Sequence, residues 1–337
     1  MNPNKWIINS WIDVLFVCGG MVWFLALASQ LAGYEDSIAK IAIAAHLFSE
    51  THIAATLRKI YGSLETIKAN ALYTVWLPLL AIPISAAALA IPMFLGSLLK
   101  AYLLWLIYHF LAQTYGIILL YYYKWNYSPS GFDRITLRLF LYAVAAKVIV
   151  SQLLTSTSQS MSFLGLELPA WPPLSSVFMD IAQLTVCIYG LLLIFAVMYK
   201  AIFESKIPPL PVMLILLTVV TAFCLQSKLQ GLFWFYLPAF YHGSQYLAVT
   251  VSQYLRERNF DIRNGGSEMS NEVLNYYLSL LLIAVAIYIG VPQVLRLAGI
   301  EYNLGFATVF ALVGLHHFLT DQAIWRLRHT RVARSLV

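Results

Sequence analysis

The sequence predicts an all-α fold, a polytopic membrane helix bundle, and three observations lead to it. Of the 337 residues, 61% are hydrophobic and 11% charged, where a soluble domain carries about 25% charged residues; mean hydropathy is +0.75. Ten apolar windows of about 20 residues match the ~30 Å hydrocarbon core of a bilayer. Basic residues gather in alternate loops between those windows. The longest polar run, about residues 256–271, is too short to enclose a core of its own. The chain therefore reads as one integral membrane domain over 1–337, ending in a short basic tail at 326–337.

The ten windows lie near 11–32, 37–57, 71–94, 99–123, 135–156, 176–199, 209–226, 231–255, 273–294 and 304–325. The first has no small-residue cleavage site after a short apolar core, so it is expected to remain as a helix. The seventh is short enough to tilt or to enter only partly. Aromatic residues at segment ends (Trp105, Tyr121, Tyr123, Trp125, Trp325) fit an interfacial belt. Gly19, Gly20 and the small-residue run at 85–90 read as places of close helix packing. Cys18, Cys187 and Cys224 are scattered through apolar segments, which argues against a disulfide framework.

Orientation follows from the basic residues. The N-terminus, the even-numbered loops and the C-terminus carry sixteen, from Lys5 through Arg58, Lys59 and Lys124 to Arg334. The opposite side has three: Lys100, Lys228 and Arg296. Positive charge stays on the cytoplasmic side, so both termini are expected there. The same confinement to loops and helix ends removes the case for a nucleic-acid partner, which the net charge of +6 would otherwise raise.

Six of the seven histidines fall inside apolar windows: His46, His52, His109, His242, His316 and His317. His329 alone lies outside, in the basic tail. An ionisable side chain at the centre of a membrane helix costs roughly 2.5–3.5 kcal/mol by insertion scales, so such a set calls for a reason. All six sit on even-numbered windows, which run in the same direction, at depths from the mid-membrane to the inner half. Residues four apart share a helix face, and this pairs His46 with Glu50 and His317 with Asp321. By the same spacing His109 faces with Gln113, and His242 with Gln245 and Tyr246. Histidine and carboxylate one turn apart is how helix bundles assemble nitrogen and oxygen ligands for a metal. His52 lies about 240° around the helix from His46, so one regular helix cannot aim both at one ion; either is a candidate. The expected ligand pool is thus His46, Glu50, His52, His109, His242, His316, His317 and Asp321, with no catalytic residue assigned. A lone buried histidine more often bonds a backbone carbonyl; six on same-direction helices beside two carboxylates argue for a site. Asp13, near the cytoplasmic end of the first window and within reach of the site, reads first as a structural group.

A short internal echo accompanies the pattern. Tyr108–Gln113 (YHFLAQ) and His316–Asp321 (HHFLTD) share H-F-L-x-[Q/D]. The two lie six windows apart, as do the histidine-bearing second and eighth. Such spacing fits a duplicated four-helix unit with a pseudo-twofold axis along the membrane normal.

Imidazole and carboxylate without thiolate suit iron, and less specifically manganese, zinc or copper. In these membrane-embedded histidines, with a Y-H-G stretch at Tyr241–Gly243, the chain resembles the Brp/Blh family of bacterial β-carotene dioxygenases. The resemblance implies a polytopic membrane enzyme whose iron is held by His46 or His52, His109, His242 and His317. Glu50 and Asp321 depart from it and allow a two-metal hydroxylase or desaturase instead, although the H-x-x-H-H boxes of fatty-acid desaturases are absent. The expected function is a non-haem iron enzyme, with one or two ions, that oxidises a lipophilic substrate such as a carotenoid, isoprenoid or acyl chain. Membrane lipids and an electron donor are the other expected partners. Two further classes use the same residues: a haem-carrying electron-transfer protein, and a proton- or metal-coupled transporter.

Overall fold

The computed structural model describes residues 5–32, 34–155, 161–169, 174–224, 233–260, 262 and 266–325. The basic tail at 326–337, with His329, lies outside them. Ten helices of ten or more residues make up most of it, with shorter ones at Ser10–Ile12, Leu64–Ala69 and Val291–Leu297. The ten are α1 (Gly20–Ala32), α2 (Tyr34–Ile60), α3 (Leu77–Ala90), α4 (Pro92–Lys124), α5 (Gly131–Thr155), α6 (Val177–Phe203), α7 (Leu210–Val219), α8 (Phe233–Glu257), α9 (Ser267–Val285) and α10 (Tyr302–Ile324). One hairpin, β1 (Met161–Phe163) paired antiparallel with β2 (Leu166–Leu168), interrupts the all-α pattern. One-turn π segments adjoin α3, α7 and α9 at Leu72–Trp76, Val220–Cys224 and Ala286–Gly290, and a fourth, Asp13–Val17, continues the short helix Ser10–Ile12.

Local chemistry sets the helix ends. Pro92 starts α4, where a missing N–H costs nothing. Ser130 and Asp133 form a reciprocal capping box at α5: Ser130 N–H donates to Asp133 Oδ2 at 2.7 Å and Asp133 N–H to Ser130 Oγ at 3.1 Å. Asp133 also meets Lys200 Nζ at 2.5 Å, tying the start of α5 to the end of α6. Gly19, at φ +97°, makes the 55° bend between Ser10–Val17 and Gly20–Ala28. A Cβ there would lie 2.4 Å from Thr218, so the bend also needs glycine for space.

Among the described residues, six helices are long and apolar enough to cross a membrane, or seven if the bent N-terminal pair is one span. The six are 72–90, α4, 131–154, α6, 267–297 and α10. Each of the ten sequence windows falls on a helix, but α2 and α8 are not among the six. Their polar load explains this: Glu50, Thr51, His52 and Thr56 on α2, and His242, Ser244, Gln245, Thr250 and Ser252 on α8, all buried.

Packing places these two helices at the centre. α2 packs on α8 and α10, and α4 packs on the same two, giving a closed ring in the order α2, α8, α4, α10. The other helices surround it: α9 lies on α2, α3 beside α4 and α10, α5 and α7 on α4, and α6 outermost against α5. From 235 to 253 every residue of α8 except Tyr236 and Val251 is buried. α6 is the opposite, with Phe178, Ile181, Leu184, Leu191 and Phe195 all exposed. Polar groups inside and apolar groups outside is the arrangement expected of a bundle solvated by lipid.

The hairpin closes one end of the ring. Phe163 is buried against Phe235 of α8 (centroids 5.1 Å) and Phe310 of α10 (5.9 Å). Beside it, Lys100 Nζ of α4 donates to the Pro169 carbonyl at 2.8 Å. Lys100 is thus a buried structural group, and α4 begins at Pro92, before the start of the sequence window at 99.

Candidate metal centre

Each helix of the ring sends one imidazole to its centre: His52 from α2, His242 from α8, His109 from α4 and His317 from α10. Neighbouring rings in that cycle have centroids 4.7, 4.8, 5.0 and 4.6 Å apart. All four residues are buried. His52 Nε2 lies 3.0 Å from His317 Nε2 and 3.2 Å from His242 Nε2. Asp321 Oδ2 lies 3.5 Å from His317 Nε2 and 3.9 Å from His109 Nε2. Two overlapping groups have ligand atoms within 4.8 Å of one another, His52–His242–His317 and His109–His317–Asp321, and His317 belongs to both.

The spacing has a chemical meaning. Donors about 2.1 Å from a metal stand about 3.0 Å apart at a right angle and about 3.4 Å apart at the tetrahedral angle. The contacts of 3.0, 3.2 and 3.5 Å fall near these values, and the 3.9 Å between His109 and Asp321 is wider. Hydrogen bonding alone accounts for them poorly. His52 Nε2 faces two other Nε2 atoms, yet one ring nitrogen offers either one proton or one lone pair. His109 Nε2 is buried with no hydrogen-bond partner at all. A cation at the centre would satisfy every one of these lone pairs.

A second layer, one helical turn further along each ring helix, orients the first. The residues four positions after the histidines are Thr56, Gln113, Tyr246 and Asp321. Asp321 Oδ1 accepts from Thr56 Oγ1 and from the Tyr246 hydroxyl, both at 2.9 Å. Trp325 Nε1 donates to the Tyr246 hydroxyl at 2.8 Å. With its proton given to Asp321, the Thr56 oxygen accepts His317 Nδ1–H at 2.9 Å. That bond fixes the tautomer in which His317 Nε2 presents a bare lone pair to the centre. Gln113 Nε2 donates to the His242 carbonyl at 3.1 Å, holding α4 to α8.

Gly243 explains how α2 and α8 come close enough. A Cβ at this position would lie 2.6 Å from the Phe48 carbonyl oxygen of α2. Only glycine permits that approach, and it brings the neighbouring His242 onto His52. Ser244 Oγ and Gln245 Nε2 then anchor α8 to the carbonyls of Phe16 and Val17, at 2.8 and 2.9 Å.

The structure does not bring His46, Glu50 or His316 to this cluster. His46 Nδ1 donates to Glu50 Oε1 at 2.7 Å, and its side chain is 42% exposed. Glu50 lies about 200° around α2 from His52, near enough to Tyr102, Tyr236 and Tyr288 for its charge to act on them. His316 Nε2 donates to the Tyr73 carbonyl at 2.7 Å. The expectation that His46, Glu50 and His316 belong to one ligand pool with Asp321 is therefore corrected by helix geometry: Asp321 stands with the four histidines and Glu50 with His46. Asp13 is structural, accepting from the amides of Ile7 and Ile8 and from the Tyr121 hydroxyl at 2.6, 3.0 and 2.6 Å. Thr56 is a site residue that the sequence left unassigned, and Trp325, read as part of an aromatic belt, is another, through its bond to Tyr246. Thr56 had one available signal, the polar residue four positions after His52.

No family model, curated protein or solved structure matches the chain.

Proposed function

We propose that the four-histidine ring with Asp321 holds one non-haem metal ion, iron by the chemistry of its donors, in an enzyme that oxidises a lipophilic substrate. The observation that carries this is the convergence of buried Nε2 atoms and one carboxylate oxygen at ligand spacings, with His109 Nε2 otherwise unpartnered. His52, His109, His242, His317 and Asp321 are the proposed ligands. Bound iron would supply dioxygen activation. The chain's own contribution is to orient the ligands through Thr56, Tyr246 and Gln113, and to keep water out with apolar walls. The resemblance to the Brp/Blh dioxygenases belongs to this proposal, as does an electron donor if the chemistry is hydroxylation or desaturation.

Several finer points of the architecture are part of the same reading. They are ten membrane crossings, both termini on the cytoplasmic side, and descent from a duplicated four-helix unit. In favour of duplication, the ring is built from two helix pairs six apart, α2 with α8 and α4 with α10. In favour of the orientation stands the sixteen-to-three division of basic charge.

The spacing weighs against haem. A porphyrin held by two histidines needs an open slot between them, whereas here the His109 ring packs 4.8 Å from His242 and 5.0 Å from His317, and His52 packs 4.7 and 4.6 Å from the same two. Metal analysis of the purified protein, with an absorption spectrum, is the test. Iron without a Soret band supports the reading; a Soret band, or no bound metal after expression in iron-supplemented medium, overturns it.

A further inference from the structure

A cavity of about 260 Å³ adjoins the cluster, with His109 and Asp321 in its wall. It extends along α4 past Tyr108, Ala112, Gly116 and Leu120, which recur every four residues and so share one helix face. From Tyr108 to Leu120 is about 18 Å at 1.5 Å per residue. The facing wall is Tyr246 and Val249 of α8, with Trp325 after α10. The wall residues follow α4 over that whole length, so the cavity is a groove elongated along the helix, a shape that suits a chain lying parallel to it.

Gly116 distinguishes the groove from ordinary helix packing. Glycine inside a helix is unfavourable and needs a reason. At Gly243 and Gly314 the reason is contact, since a Cβ would lie 2.6 Å from Phe48 and 2.4 Å from Tyr102. At Gly116 a Cβ would meet nothing within 4 Å. Its missing side chain admits no neighbouring helix; it leaves space, halfway along a groove that ends at the metal ligands. At the other end of the ring the hairpin and Phe163 close the approach. Access to the centre therefore runs along this groove, from the end of the bundle where α4, α8 and α10 finish.

We infer that the groove is the substrate channel, that its occupant is a single slender apolar chain of the acyl or polyprenyl kind, and that Gly116 sets the width the chain can have. The inference rests on the proposed function for the chemistry performed, but not for the binding.

Photo-crosslinking tests it on the full-length purified protein. The probes are diazirine-tagged palmitic acid, diazirine-tagged geranylgeraniol and a diazirine-tagged cholesterol. At least one chain probe should label peptides covering 108–120 or 246–249, and cholesterol should not. Whichever chain probe labels identifies the chain type. Gly116→Phe should cut that labelling by about tenfold or more, in the range that filling part of an apolar pocket commands. Gly116→Ala should cut it less, and labelling of the lipid-facing α6 should not change. Size-exclusion behaviour and metal content are read on each variant, and Gly116→Ala serves if the phenylalanine variant fails to fold. Labelling of α4 no stronger than that of α6, labelling indifferent to both substitutions, or equal labelling by cholesterol overturns the inference. Groove labelling in a protein that binds no metal would leave the channel standing and remove the proposed function.

Discussion

Two pairs of neighbouring histidines show what decides membership of the centre. His316 and His317 are adjacent in sequence, yet His317 is fully buried in the four-helix ring while His316 donates to the Tyr73 carbonyl. His46 and His52 lie on one helix, yet His52 sits among three other imidazoles and His46 pairs with Glu50 near the bundle surface. His316 and His317 share a level and His46 and His52 lie about 9 Å apart along α2; in both pairs the helix face differs, by about 100° and about 240°. Residue type and depth make a histidine available, and the face it occupies gives it a role.

The sharpest way to break this comparison is to remove one histidine of an adjacent pair at a time. His317→Ala takes away the residue shared by both ligand groups. It should reduce metal content beyond the about 10–100-fold that loss of a merely supporting group costs. His316→Ala should leave metal content at the wild-type level. Equal losses in the two variants would mean that the faces have been wrongly separated.

Gly243→Ala comes next. A methyl group 2.6 Å from the Phe48 carbonyl forces α2 and α8 apart. Overpacking of this kind costs about 1–3 kcal/mol, and here it also separates His242 from His52. A lowered thermal midpoint in detergent together with depleted metal is the expected outcome, and an unchanged protein would show that the close approach is dispensable.

The carboxylates sharpen the same contrast. Asp321→Asn, which removes the charge of a proposed ligand, should lower metal affinity by at least about 100-fold, the upper end for a supporting group, and Thr56→Val, which removes the acceptor for His317 Nδ1–H, by about tenfold, the lower end of that range. Titration of apo-protein with ferrous ion would measure both. Glu50→Gln should have no effect on metal affinity, because Glu50 pairs with His46 and lies on another face of α2 from His52. A drop as large as that of Asp321→Asn would place Glu50 back in the centre.

Much of this was legible in the sequence. Apolar windows located the helices, and the one-turn spacing of His317 and Asp321 identified a histidine–carboxylate pair that the structure keeps together. Choosing His52 over His46 was not legible, because a face is defined only by what packs against it, and α8 and α10 reach α2 from windows some 190 and 260 residues away. Thr56 was missed because a hydroxyl in an apolar helix usually bonds its own backbone, as Thr51 does with the Leu47 carbonyl at 2.5 Å. The hairpin was missed because three-residue strands are too short for alternation to register. Its Phe163 gains its role from contact with Phe235 and Phe310.

The most direct test of the central claim is X-ray absorption at the metal edge, comparing wild-type protein with the double variant His46→Ala, His316→Ala. The account predicts one metal per chain in both, with nearest neighbours about 2.0–2.2 Å away. It also predicts the multiple-scattering pattern of four imidazoles, unchanged by the double substitution. A fall in imidazole number in the double variant, or a wild-type spectrum with no histidine scattering, would contradict it.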